Sequence, residues 1–276
     1  MRFTLFIVCL LAFSYSVAQS GYKIDFQIKG WKDTTAYLGH YFSESTYIRD
    51  TAKVDSKGVF TFDGNKPLLQ GVYFLVLAKN RIFDFVVGND QYFSLETAAD
   101  DYLKNMNVKG DEDNELFVEN MNFNMERHKE AEPFIKIIQD STLKEEQKKE
   151  AREAFGKVNV TVIAFQSKLI ADHPTTLTAR ILKATQTIVV PDPPRKPNGS
   201  IDSSFQFRYY RDHFFDNFDL ADDALIRLPK PFYQEKVKEY LNKLILPQPD
   251  SVTKAIDKLV AHVKKNPEAY KYLVYT

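Results

Sequence analysis

The residues best suited to chemistry lie in one aromatic and acidic run, Phe205-Gln206-Phe207-Arg208-Tyr209-Tyr210-Arg211-Asp212-His213-Phe214-Phe215-Asp216-Asn217-Phe218-Asp219-Leu220-Ala221-Asp222-Asp223. Carboxylates and an imidazole together serve proton transfer and metal binding. On a helix spanning about Phe205 to Asp216, the residues Phe207, Tyr210, Phe214 and Phe218 share one stripe. Asp212, Asp216 and Asp219 share another, with His213 beside them. A metal-dependent hydrolase using Asp212, His213 and Asp216 is therefore one candidate class. The spacing matches neither a calcium loop nor the paired-histidine zinc motif. The simpler expectation is an aromatic core stripe whose other face is solvated, with Arg208 paired to Asp212 at helical spacing.

Other chemistry-bearing residues are dispersed. His40, His128, His173 and His262 fall in different predicted elements, and no serine stands in a Gly-x-Ser-x-Gly setting. There is no glycine-rich phosphate loop. The stretch from Lys144 to Arg152 mixes charge signs, as a solvated helix face does. Trp31, Tyr37, Tyr41, Tyr47 and Tyr73 offer a β face that could line a small-ligand site, or pack across strands. No catalytic residue, cofactor ligand or metal ligand is assigned from these patterns.

Sulfur chemistry is bounded by a single cysteine in 276 residues, Cys9. It lies in a segment with the features of a secretory leader: Met1-Arg2, an apolar run from Leu5 to Ala12, and Ser16-Val17-Ala18 before cleavage. The run is too short for a membrane span. Cys9 sits deep in the apolar run behind Val8, unlike a lipid-attachment cysteine. The expected product is exported, periplasmic and free of thiols, so it can neither form nor exchange a disulfide. Lys plus Arg and Asp plus Glu both number 37, which gives no global field toward nucleic acid or anionic membranes. Hydrophobic residues make up 44%, enough for packed cores in two domains.

The elements that must position these side chains change character near residue 100. Apolar residues alternate at period two from Tyr22 to Thr97, predicting strands at Lys23–Lys29, Thr35–Phe42, Tyr47–Val54, Val59–Phe62, Gly71–Ala78, Arg81–Val87 and Tyr92–Glu96. Ser56-Lys57-Gly58 and Lys79-Asn80 read as hairpin turns. Helical periodicity follows. One helix is capped by Asp113, with Phe117, Met121, Met125 and His128 on a stripe. A second is capped by a Thr142/Glu145 box and buries Leu143, Ala151, Ala154, Phe155, Val158, Val162, Phe165 and Leu169. His173-Pro174 ends it, and a short helix covers Thr176 to Thr185. Pro191, Pro193, Pro194 and Pro197 then make a stiff connector over 191–199. Further helices are expected at Pro231–Leu244, Ser251–Lys264 and from Pro267 onward. The predicted fold class is α+β: leader 1–18, an antiparallel β-sandwich or partly open barrel over 19–110, and an all-helical domain over 111–276.

The motifs Asp50-Thr51-Ala52-Lys53-Val54-Asp55, Gly58-Val59-Phe60-Thr61-Phe62, Gly71-Val72-Tyr73 and Val108-Lys109-Gly110 before Asn114-Glu115-Leu116-Phe117 resemble an uncharacterised β domain of Bacteroidetes-type envelope proteins. Phe207 to Asp219, together with Phe232-Tyr233-Gln234-Glu235-Lys236-Val237-Lys238-Glu239-Tyr240-Leu241, resembles an uncharacterised helical domain of the same proteins. In that family these domains usually precede a thioredoxin-like or peroxiredoxin-like domain, so the resemblance implies an exported thiol-disulfide oxidoreductase. The family's Trp-Cys-x-x-Cys matches no position here, and no catalytic residue carries over.

Tyr270, Leu273 and Val274 begin an apolar stripe that Thr276 follows without a polar tail, and an N-terminal piece of a longer protein is expected. The leading expectation is a non-catalytic arm that docks a protein partner, forms a homodimer or positions a redox module. The alternative is a stand-alone periplasmic module for a small ligand or glycan. Asp50-Thr51-Ala52 and Asp250-Ser251-Val252 resemble O-glycan acceptor motifs of such envelopes. Thr51 as a strand residue and Ser251 as a helix cap are the plainer roles.

Overall fold

A computed structural model describes residues 21–195, 197 and 199–276. The leader, Cys9, and Lys196 and Asn198 of the connector lie outside the described residues. Period-two alternation builds β1 (Tyr22–Lys29), β2 (Thr34–Phe42), β3 (Ser45–Val54), β4 (Val59–Gly64), β5 (Gly71–Leu77), β6 (Asn80–Val87), β7 (Tyr92–Ala98) and β8 (Asn107–Lys109). They form two four-stranded sheets, ordered β4-β1-β7-β8 and β3-β2-β5-β6. The arrangement is a sandwich, with no pairing that closes it into a barrel.

Two features depart from a purely antiparallel expectation. β1 and β7 pair in parallel, Ile24 opposite Phe93 and Phe26 opposite Leu95. β8, too short to show periodicity, is recruited to β7 by pairing Val108 with Leu95.

Side chains from the two inner faces fill the sandwich. Ile24, Phe26, Phe60, Phe62, Phe93 and Leu95 of one sheet meet Leu38, Tyr73, Leu75, Phe85 and Val87 of the other. Phe26 stands at the centre, stacked on Phe60 with ring centroids 5.0 Å apart and edge-on to Phe85 at 5.6 Å. Burial of such rings is the main stabilising contribution here.

The second sheet is apolar on its outer face as well. Tyr41, Val72, Phe74 and Val86 point away from the sandwich into a second cluster, shared with Phe214, Phe218, Leu220, Leu225, Ile226 and Tyr233 of the helical region. Sheet and helices therefore pack through one continuous apolar seam. Gly39 permits it: a Cβ there would lie 2.2 Å from the Phe74 ring.

The helical region opens with a hairpin of α1 (Glu112–Gln139) and α2 (Glu145–Asp172), each about 42 Å long at 1.5 Å per residue. Phe123 stacks on Phe165 at 4.0 Å across it. The predicted face of α2 faces inward, with Ala151, Val158 and Leu169 buried, while Val160 and Ile163 are exposed. The caps differ from expectation. Asp111, rather than Asp113, caps α1 through the Asn114 N–H. At α2 the Gln147 side chain accepts from the Lys144 N–H at 2.8 Å, while Thr142 turns back to Asp140. In both cases the expected residue has a tertiary or turn partner that competes with capping. On α1, His128 is exposed and the buried positions are Asp113, Asn114, Leu116, Asn120 and Ala131.

α3 (Leu177–Thr185), α4 (Phe205–His213), a 3-10 turn (Asp223–Ile226), α5 (Phe232–Glu239) running into a π turn (Tyr240–Leu244), α6 (Pro249–Val263) and α7 (Pro267–Tyr275) complete the chain. α4 stops at His213, short of the expected Asp216, because the following residues turn inward to bury Phe214 and Phe218. Phe207, expected on the buried stripe, is exposed. Arg208 pairs with Asp202 at 2.6 Å rather than with Asp212. Gln248 holds the cap position of α6 with Pro249 in the first turn, so Ser251 lies inside the helix. In α7 Leu273 is buried, while Tyr270 and Val274 are exposed. Among the described residues no helix is long and apolar enough to cross a membrane.

Candidate functional site

Hydrogen bonds at the seam join strand ends to the helical region. The Val72 N–H donates to the Arg227 carbonyl at 2.8 Å, and the Ser43 N–H to the Ile226 carbonyl at 3.0 Å. The Arg227 side chain, fully buried, returns the link: its Nε donates to the Gln70 carbonyl at 2.6 Å. Its Nη2 pairs with Asp223, which also accepts from Asn266. Burial alone would raise the Asp223 carboxyl, but the hydrogen bonds from Asn266 and Arg227 outweigh it and hold the group below its ordinary range.

Beside this seam the β loops, α3, the segment after α4 and α6 leave a cleft of about 1070 Å³. Its floor is a polar girder. Arg180 of α3 donates to Asp222 at 2.5 Å and to Gln70 at 2.5 Å, and Gln70 donates to Asn89 at 2.7 Å. Burial pushes the Asp222 carboxyl up, with Arg180 opposing. Lys183, one turn further along α3, also lines the cleft, as do Phe215, Asp216, Asp219 and His262. His262 meets Asp219 at 3.1 Å. His213 meets Asp216 at 2.6 Å.

The acidic run is thus only partly gathered. Asp216 and Asp219 reach the cleft, whereas Asp212 lies along its own helix against Arg211 at 2.9 Å. Among the described residues no three His, Cys, Asp or Glu side chains converge as a metal site would require. The remaining histidines go elsewhere. His40 sits between the Tyr47 and Tyr73 rings, each 5.7 Å away, and His173 meets Glu112 at 2.7 Å. Burial, reinforced by Arg227 and Arg49, lowers the His40 pKa.

The aromatic β face divides between two sides of its sheet. Tyr73 is inside the sandwich, Tyr41 is in the seam, and Tyr37 and Tyr47 are exposed. Trp31 donates to Tyr102 at 2.8 Å. These residues do not line one pocket, because alternate strand positions face opposite ways and β2 carries a register shift at Leu38/Gly39. Thr51 is exposed on β3.

Gln70, Asn89, the α3 pair Arg180 and Lys183, Asp222 and His262 come from separate segments, and no local spacing in the sequence marks these segments as neighbours. Only the Asp219–Asp223 acidic density hinted at this surface.

No curated protein matches the chain, and no solved structure does. Two families account for most of it: residues 22–117 match the domain of unknown function DUF4369, and residues 141–276 match the domain of unknown function DUF5106.

Proposed function

We propose that this protein is a non-catalytic arm of an exported, periplasmic thiol-disulfide oxidoreductase system, which docks a protein partner or positions a thioredoxin-like module. The observation that carries this is the seam. One apolar cluster runs from the outer sheet face into the helices, so both parts move together. A rigid unit of this kind suits holding a partner disulfide at a fixed place. The resemblance of the sequence motifs to those of envelope proteins of the thioredoxin-like family supports the same assignment, and a single cysteine inside the expected leader leaves the arm itself without redox chemistry.

The test joins a thioredoxin-like module after residue 276 and compares it with the free module. Reduction of a folded protein disulfide is expected to accelerate about tenfold through effective concentration, with a small-molecule disulfide unaffected. Equal rates on the protein substrate would sink the proposal, as would disulfide reductase turnover by the arm alone.

A second function is favoured by the cleft. At about 1070 Å³ it is large enough for a small ligand, and it lies where sheet and helices meet. In this reading the ligand sits at the seam rather than on an aromatic β face.

A further inference from the structure

The cleft carries charge of both signs on separate elements. α3 contributes Arg180 and Lys183, and the segment after α4 contributes Asp216 and Asp219. Much of the deeper charge is internally compensated: Asp222 by Arg180, and Asp223 by Arg227. Among the described residues Lys183 makes no ion pair. Asp216 and Asp219 are each more than half exposed and, among the described residues, have only imidazoles, His213 and His262, as charge partners; Asp219 Oδ1 also accepts from the Ala221 N–H at 2.8 Å. Each carboxylate has two oxygens and several lone pairs, so these contacts leave it able to accept from a ligand.

What remains open to a ligand is therefore an ammonium from one element and a pair of carboxylates from another, with the half-buried Phe215 ring also lining the cleft. A purely anionic ligand would meet Asp216 and Asp219, and a purely cationic one would meet Lys183. Juxtaposed like charges repel, and that repulsion selects against both. A molecule with separated charges satisfies both ends.

We propose that the cleft binds a zwitterion of the short-peptide class, its terminal carboxylate toward Lys183 and its terminal ammonium toward Asp216 and Asp219. The inference rests on the ligand-binding function given second above.

The test is isothermal titration of the purified protein with trialanine, N-acetyl-trialanine, trialanine amide and a neutral trisaccharide. Trialanine is expected to bind, and capping either terminus should weaken it about tenfold, the effect of losing one charge-assisted contact. Lys183→Gln should weaken trialanine and remove the discrimination against the amide. Asp219→Asn should do the same for the acetylated peptide. Both side chains are exposed, so these variants keep the fold, which a thermal melt verifies. Capped and free peptides binding alike would overturn the proposal, as would absence of trialanine binding at millimolar concentration. Trisaccharide binding without trialanine binding would overturn the zwitterion while preserving ligand binding at the cleft. Failure of all four probes would count against the cleft function itself and leave the docking arm to its own assay.

Discussion

The side-chain amide of Asn114 pairs with the Val86 peptide as a neighbouring strand would: Oδ1 accepts from the Val86 N–H at 2.9 Å, and Nδ2 donates to the Val86 carbonyl at 2.7 Å. β6 is the last strand of its sheet, and an unpaired edge invites pairing with another chain. Here the first turn of α1 covers it. Asp111 caps that turn and accepts from both the Asn114 N–H and Nδ2, at 3.1 and 2.5 Å. Two residues on, Asp113 accepts from the Thr178 N–H at 2.8 Å and fills the space above Gly88, where a Cβ would lie 2.2 Å from its Oδ2. The start of α1 thus joins β6, the loop after it and α3.

Replacing Asn114 tests that junction. Asn114→Leu leaves a buried N–H and a buried carbonyl unpaired, and should destabilise the fold by about 2–4 kcal/mol. Asn114→Asp retains an acceptor for the Val86 N–H but sets a carboxylate against the Val86 carbonyl and Asp111. It should also be destabilising at neutral pH and recover as the pH falls. Urea unfolding at two pH values distinguishes the two variants.

Asp111 should give the protein a readable pH dependence. Burial raises its carboxyl to about 6, against the hydrogen bonds from Asn114. A folded pKa above the unfolded value means the protonated acid is favoured in the fold. Its contribution is fully present below about pH 4 and lost as pH rises through about 6, a change of a few kcal/mol at most. Asp111→Asn keeps a capping side chain and removes the titration. The stability difference between wild type and variant should therefore vary between pH 4 and 6 and level off above it, as followed by denaturation across that range.

Arg227 tests the seam. Arg227→Met removes the guanidinium from the Gln70 carbonyl and strips Asp223 of its charge partner, with an expected cost of about 3–5 kcal/mol. Adding Asp223→Asn to that background should cost less than Asp223→Asn alone, because the carboxylate no longer has a partner to lose. A double-mutant cycle by denaturation reads the coupling. Additive effects would contradict a direct pair.

Gly39→Ala tests the approach of sheet and helices. The new methyl meets the Phe74 ring, and displacing that ring disturbs its contact with Tyr41, whose centroid is 5.0 Å away. A loss of about 1–3 kcal/mol is expected, measurable as a lower melting temperature.

The strand and helix content was legible before the fold was known, because alternation at period two and stripes at helical spacing report burial within a single element. The strands from β1 to β7, the inward face of α2, and the end of that helix at His173 follow from local pattern. β8 does not: three residues carry no period, and only the free edge of β7 gives them a place. The caps show the same limit. Asp113 has the right chemistry for a cap, yet Thr178, 65 positions away, is its partner.

By itself the sequence determined that its one thiol is Cys9, that charge is balanced, and that a β region precedes a helical one. These are properties of composition and of short repeats. The tertiary structure alone decided that β5 is buried on both faces, that Tyr41 and Tyr73 part to opposite sides, and that Asp216 and Asp219, but not Asp212, reach the same cleft as Lys183 and His262. Such choices depend on which distant surfaces exclude water from one another, and hydrophobic burial, being non-directional, leaves no local signature of its eventual partner.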